Sequence, residues 1–308
     1  MPTLITIGSV SARAYGFGAA RKKVQNIYIT LSDDTVSKIT PAGVVTIAWA
    51  TVGTSPKGIA IDSSGNVYTA NSGANTVSKI TPAGVVTEPW ATVGANPKFI
   101  AIDSSGNVYT GNYGGGGTVS KITPAGVVTQ PWASVGSFLS AIAIDSSGNV
   151  YTGNFAYSTI SKITPAGVVT ATWATVGASP QGIAIDSSGN VYTANSGANT
   201  VSKITPAGVV TEPWATVGTN PNGIAIDSSG NVYTSNTGAN TVSKITPAGV
   251  VTIAWATLGA SPNNIAIDSS GNVYTVNVSS TISKITPAGV VTEPWATVGA
   301  NPYGIAIY

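Results

Sequence analysis

The chain has 308 residues, 43% of them hydrophobic and only 8% charged, with 36 glycines, 18 prolines and a net charge of +2. That balance excludes a disordered polymer, which needs low hydrophobicity and high charge, and it leaves no basic stripe for a nucleic acid. Cysteine and histidine are both absent, so the sequence offers no disulfide, no thiolate and neither the commonest general base nor the commonest transition-metal ligand.

The start, Met1-Pro2-Thr3-Leu4-Ile5-Thr6-Ile7, has no charged region and no apolar run of signal-peptide length. No segment reaches the roughly 20 apolar residues of a membrane-spanning helix, so membrane insertion is not expected. Residues 1–23 stand apart as a leader, and residues 24–308 are repetitive. The octapeptide Ile-Thr-Pro-Ala-Gly-Val-Val-Thr starts at Ile39, Ile80, Ile122, Ile163, Ile204, Ile245 and Ile285, and each copy is followed by a tryptophan, from Trp49 to Trp295. Self-similarity at 40 to 42 residues is the mark of a solenoid, an array or a propeller.

Within the unit from Pro56 to Gly94, Gly58–Asp62 is a short apolar run that ends in Ser63-Ser64-Gly65-Asn66. The glycine there supplies the positive φ of a tight hairpin. Val67–Asn71 follows as a second strand rich in β-formers. Ser72–Asn75 is a loop, and Thr76–Ile80 alternates as a third strand. Thr81-Pro82-Ala83-Gly84 is a turn with proline presetting φ. Val85–Val93 makes a fourth strand, in which Pro89 suits an outer edge where no N–H is needed.

Four antiparallel strands in about 40 residues is a propeller blade, so the expected fold is all-β and seven-bladed. The ends support closure. Asn26–Leu31 aligns with Asn66–Asn71, a second strand, and the chain finishes on Tyr303–Tyr308, a lone first strand. The C-terminal strand is expected to complete the N-terminal blade and remove exposed sheet edges.

The pattern Pro-x-Gly-Ile-Ala-Ile-Asp-x-x-Gly-Asn-Val-Tyr-x-x-Asn followed by Val-x-Lys-Ile-x-Pro-x-Gly resembles the NHL repeat. It is similar as well to the streptogramin-lyase and gluconolactonase propellers. The lyase resemblance implies a histidine and a metal site, and no histidine is present to carry over. The gluconolactonase resemblance implies inward Glu, Asn and Asp ligands, whereas Glu88, Glu212 and Glu293 fall at outer-strand positions. Residues Ile5–Gly18 resemble short leaders of phage virion and tail-associated proteins.

The repeated Asp-Ser-Ser-Gly-Asn turns lack the alternating carboxylates of a calcium loop, and their side chains are expected to satisfy the hairpin backbone. The tryptophans read as wedge-filling core, with sugar stacking as the other use of such rings. The Ser-Lys-Ile-Thr lysines read as solvated. The asparagines ending each second strand, such as Asn71 and Asn112, read as loop caps or as a polar channel rim.

Variation between copies is more informative, because Gly58–Gly94 and Gly182–Gly218 are identical. The loops between second and third strands and the links between blades do vary, and blade topology puts both on one face of the disc. There the sequence places Phe99, Tyr113, Phe138, Leu139, Phe155, Tyr157 and Tyr303, a candidate surface for a protein or glycan partner. Drift after duplication is the competing account.

With no metal, cofactor or catalytic pattern, the expected function is a non-enzymatic recognition or structural module. The leader resemblance implies a virion, with residues 1–23 as the attachment segment. The alternatives are a multivalent carbohydrate-binding lectin and an enzyme of the lyase or lactonase type, for which only Asp33 and Asp34 are acidic and off the repeat pattern.

Overall fold

Every unit forms strands where apolar and β-branched residues run between turns that glycine, proline and asparagine enforce. The computed structural model describes residues 25–308, with the backbone of two short strands before them, β1 (Thr3–Thr6) and β2 (Ala12–Tyr15). The rest of the leader, and with it the expected attachment role, lies outside the described residues.

The first blade contains β3 (Ile27–Thr30), β4 (Thr35–Ile39) and β5 (Val45–Thr51). The second has β6 (Pro56–Ile61), β7 (Val67–Asn71), β8 (Thr76–Ile80) and β9 (Val86–Thr92). Blades at 97–134, 139–175, 180–216, 221–257 and 262–297 supply β10 to β29, and β30 (Ile305–Ile307) ends the chain. Among the described residues this makes seven four-stranded antiparallel sheets and no helix.

Closure is as expected. β30 pairs with β3 in the register Ile27↔Ile307, Tyr28↔Ala306 and Ile29↔Ile305. Asn26 and Tyr308 exchange backbone hydrogen bonds of 2.7 and 2.9 Å. The first blade therefore draws its inner strand from the C-terminus.

The cores lie between blades. Ala60, Tyr68, Ala70 and Val77 of the second blade pack on Ile100, Ile102, Val108 and Ile122 of the third. At the closure Ile27, Ile29 and Leu31 meet Ala266, Tyr274 and Val276. A fully buried isoleucine contributes about 1.5–3 kcal/mol, so the ring is held by repetition of one interface.

The tryptophans differ from the expected core role. Each is half-buried on an outer strand and packs against the tyrosine of its own second strand, as Trp90 does on Tyr68 at 5.0 Å. The lysines are not fully solvated either. Lys79 Nζ lies 5.6 Å from the Tyr68 ring and 5.7 Å from the Trp90 ring, its stem covering the aromatic pair while the charge sits over the rings.

The Asp-Ser-Ser-Gly-Asn turns behave as expected. Asp62 Oδ1 accepts from the backbone N–H groups of Ser64 and Asn66 at 2.9 Å each. Its Oδ2 accepts from Asn66 Nδ2 at 2.7 Å and from the Tyr68 hydroxyl at 3.1 Å. The strand-end asparagines are caps and not a channel rim: Asn71 is fully buried and donates to Thr76 Oγ1 at 3.1 Å and Ser78 Oγ at 2.8 Å.

Candidate functional site

The inner strands of the second to seventh blades each carry one irregularity near the start. In the third blade the register shifts between Pro97 and Phe99, which leaves Lys98 as an extra residue. The same shift recurs at Ser140, Gln181, Asn222 and Asn263. Such bulges re-aim a side chain next to functional sites. Here they turn Lys98, Ser140, Gln181, Asn222 and Asn263 toward one cavity; Lys57 lies in the corresponding shift of the second blade, and Tyr303, ahead of β30, holds the matching sequence position in the first.

A cavity of about 390 Å³ opens over this ring, within the usual size range of small-molecule sites. Its wall unites six of the seven residues singled out from sequence: Phe99, Tyr113, Phe138, Leu139, Phe155 and Tyr303. Tyr157 stands outside the wall, its ring 6.5 Å from that of Phe138. Phe99 and Leu139 are buried and form part of the wall, while Tyr113, Phe138 and Phe155 are exposed. The polar wall, which sequence reading did not select, is Lys98, Ser140, Gln181, Asn222 and Asn263. The signal for these residues was present: position by position, they replace one another directly after the same proline or its Leu139 equivalent.

Several substitutions around the cavity fit one another. A Cβ at Gly111 would lie 2.7 Å from Leu139 Cδ2 and 3.3 Å from Phe99 Cβ. The second blade has Ala70 at this position, so the glycine opens the space that the two larger side chains fill. Phe138 occupies a left-handed conformation with φ 65°, where other blades carry Asn96 at 55° and Asn220 at 57°. Bulky residues rarely adopt that region, and strain of about 1–3 kcal/mol is characteristic of functional sites.

Electrostatically the cavity is one-signed. Lys98 is half-buried, and its Nζ lies 3.7 Å from the Tyr113 ring centre. Burial, and then the neighbouring charge of Lys57, pull its ammonium below the ordinary lysine range. The Tyr113 face opposes that shift in part, since a ring face favours the charged form. Lys57 Nζ sits 4.7 Å from the ring of Tyr303, whose hydroxyl is raised by burial. Asn222 Nδ2 donates to Asn263 Oδ1 at 2.6 Å, and Ser140 Oγ to the Pro180 carbonyl at 2.5 Å.

Among the described residues no carboxylate lines the cavity and no three His, Cys, Asp or Glu side chains gather; the chain has no histidine. The ring sets a lysine ammonium beside amides and a hydroxyl, a set that does not fit the metal site implied by the lyase resemblance. Asp33 and Asp34 are committed to their loop: Asp33 Oδ1 accepts from Thr35 Oγ1 at 2.6 Å and Asp34 Oδ1 from Ser55 N–H at 2.7 Å. Glu88 accepts from Thr76 Oγ1 at 2.7 Å, from Asn71 Nδ2 at 3.2 Å and from the Ser78 hydroxyl.

Fold and cavity define a closed seven-bladed propeller with an axial site on its varied face. The chain belongs to the virginiamycin B lyase family, whose profile matches residues 9–285. Among solved structures it resembles virginiamycin B lyase from Staphylococcus aureus at 19% identity and a TM-score of 0.66, over 82% of this chain and 92% of that one. A catalytically inactive histidine-to-alanine variant of the same lyase, solved with quinupristin, matches at 17% identity and 0.62, over 89% and 96%. A gluconolactonase from Xanthomonas campestris follows at 14% and 0.55, over 82% and 92%. At these identities the structures show a common fold. No curated protein matches the chain.

Family membership overturns the expectation of a non-enzymatic module. That expectation, together with its placement in a phage particle, rested on missing residue types and on a brief leader resemblance, whereas the family match spans nearly the whole ring and is a lyase family. No helix among the described residues is long and apolar enough to cross a membrane.

Proposed function

We propose that the protein is an enzyme of the lyase type, with the axial cavity as its active site and Lys98 as the group that removes the proton. The carrying observation is a half-buried lysine, pulled toward its neutral form by burial and by Lys57, at the axis of a lyase-family ring. The inactive state of a relative's histidine variant shows that a histidine matters there; this chain has none, so the base in this reading is another residue type. A lysine shifts its pKa readily when desolvated, and this is how lysines become general bases.

In an elimination the base takes a proton from a carbon next to a carbonyl, the electron pair forms the new double bond, and the group on the adjacent carbon leaves with its own bonding pair. Lys98 is suited to the first step. The amides of Gln181, Asn222 and Asn263 are the wall's side-chain N–H donors for charge developing on the carbonyl oxygen. The aromatic side of the cavity holds the apolar body of the substrate and excludes water from it.

The relatives' names point to virginiamycin B and streptogramin B as candidate substrates, and quinupristin is the compound solved with one of them. The test is incubation with quinupristin, following loss of the parent compound by chromatography. The wild-type chain is expected to consume it. Lys98→Met should slow consumption by ~100-fold or more, the usual scale for a general base. A wild-type protein that leaves quinupristin intact would remove the streptogramin reading.

A further inference from the structure

We propose that the axial site takes a ligand that fills the cavity and overhangs its mouth. Phe138 and Tyr157 form an outer subsite for an aromatic or comparably flat group on the overhanging part. This deepens the reading above and rests on the cavity being the substrate site.

Among the described residues the exposed aromatic side chains are Tyr113, Phe138, Phe155 and Tyr157. They stand at one place, on the third and fourth blades and the link between them. The Phe138 ring meets Tyr113 at 6.4 Å and Tyr157 at 6.5 Å, both edge to face. Tyr113 and Phe138 line the cavity and Tyr157 lies beyond its wall, so the aromatic strip leads from the cavity out over its rim.

Sister blades do without these rings. At the position of Tyr113 and Phe155 three of them carry Ser72, Ser196 and Thr237. Those hydroxyls donate to the backbone carbonyls of Ser55, Ser179 and Pro262 at 2.9, 3.0 and 2.9 Å, tying each loop to the chain that leads into an inner strand. Tyr113 and Phe155 give up that tie and join the cavity wall. At the position of Tyr157 the same three blades carry Ala74, Ala198 and Ala239. The neighbouring loop, Gly114–Gly117, has no side chain to cover the strip.

A contiguous exposed apolar surface of this kind marks a binding site, and its continuity with the cavity makes the cavity's own ligand the occupant. At about 390 Å³ the cavity is near the small end of ligand sites, which leaves a larger ligand to project over the rim. An aromatic group set against Phe138 and Tyr157 gains edge and offset-stacked contacts beyond its buried area. Tyrosine offers that surface at low entropic cost, with two χ angles to fix.

Quinupristin is the probe, and the variants are Tyr157→Ala and Tyr157→Phe in the full chain. Alanine is the residue the sister blades carry there, so the fold is kept, and thermal melts check it. Binding is read by calorimetry in the Lys98→Met background, where turnover is slowed, and kcat and KM are read with Lys98 in place. Tyr157→Ala is expected to weaken binding and raise KM by about fivefold or more, with kcat little changed, and Tyr157→Phe to restore both. Unchanged affinity in Tyr157→Ala, a fall in kcat at unchanged KM, or no binding of quinupristin would overturn the proposal. So would sedimentation showing a dimer that Tyr157→Ala dissociates, since the strip would then belong to a second copy. Binding weakened by Tyr157→Ala, with no consumption by the parent chain, would leave this proposal standing and remove the lyase reading. Consumption with KM unmoved by Tyr157→Ala would do the reverse.

Discussion

The two faces of the disc are made by the same strands, yet they spend their side chains differently. On the turn face each Asp-Ser-Ser-Gly-Asn aspartate holds two backbone N–H groups, an asparagine and a tyrosine hydroxyl, as Asp186 does with Ser188, Asn190 and Tyr192. Every polar atom of that carboxylate has work in holding its own hairpin, and the sequence there scarcely varies. On the loop face the bulged residues of five inner strands line one cavity, and their identity runs from lysine to serine, glutamine and asparagine, with Tyr303 at the matching position of the first blade. Variation concentrates where no side chain holds a hairpin turn together, and the candidate chemistry is found in the same place.

The largest test of this division is of the ring both faces share. Removing Tyr303–Tyr308 takes away β30 and the backbone pairing of Asn26 with Tyr308. Circular dichroism is expected to show no cooperative thermal transition, and a melt like that of the full chain would contradict closure.

Next comes alkaline pH, which acts on the turn face through six equivalent tyrosines. Burial first, then the adjacent aspartate charge and the hydrogen bond to it, raise Tyr68, Tyr109, Tyr151, Tyr192, Tyr233 and Tyr274 above the usual 10.0. A folded-state pKa above the unfolded one stabilises fully below pH 10 and is lost as pH climbs from there through the folded values. The melting temperature should hold up to about pH 9 and fall above pH 10. Tyrosinate absorbance from these six residues at pH 10, with the ring still folded, would break the assignment.

A single turn is the next scale down. Asp186→Ala leaves the part-buried donors of Asn190 and the Tyr192 hydroxyl without their acceptor and should cost about 1 kcal/mol in urea denaturation. Smallest is Phe138→Asn on the loop face. It puts at φ 65° a residue like Asn96 and Asn220, which already sit at 55° and 57°. Stability should rise by about 1 kcal/mol, while affinity for any ligand of the cavity falls. A loss of stability would show that Phe138 is packed as core and not held strained over the site.

Much of the ring was legible because repetition supplies its own alignment. β7 and β8 run from Val67 to Asn71 and from Thr76 to Ile80 as expected, and the odd ends disclosed the closing strand. The start of each inner strand was not legible. β6 begins at Pro56, two residues before Gly58, because the chain continues through the bulge at Lys57. A bulge depends on pairing with the neighbouring strand, so sequence alone shows Lys57 and Lys98 only as variable link residues. The aromatic half of the cavity stood out as unusual residues against a repeated background. The polar half did not, since Gln181, Asn222 and Asn263 look like ordinary turn residues until the fold points them at one axis. The non-enzymatic reading failed for a related reason: it rested on the absence of histidine, which is visible in a sequence, and the lyase-family match over residues 9–285 overturned it; burial of Lys98 belongs to the folded ring and could not enter that reading.

The most direct measurement sets one lysine of each kind side by side. Lys98→Met alters the axial cavity, and Lys203→Met alters an outer-strand lysine that lies over Tyr192 and Trp214. With quinupristin as substrate and folding checked by thermal melts, the account predicts that the Lys98 variant melts like the parent and loses turnover by about 100-fold or more. The Lys203 variant should keep its turnover. Equal turnover in both variants would contradict an axial site built on Lys98.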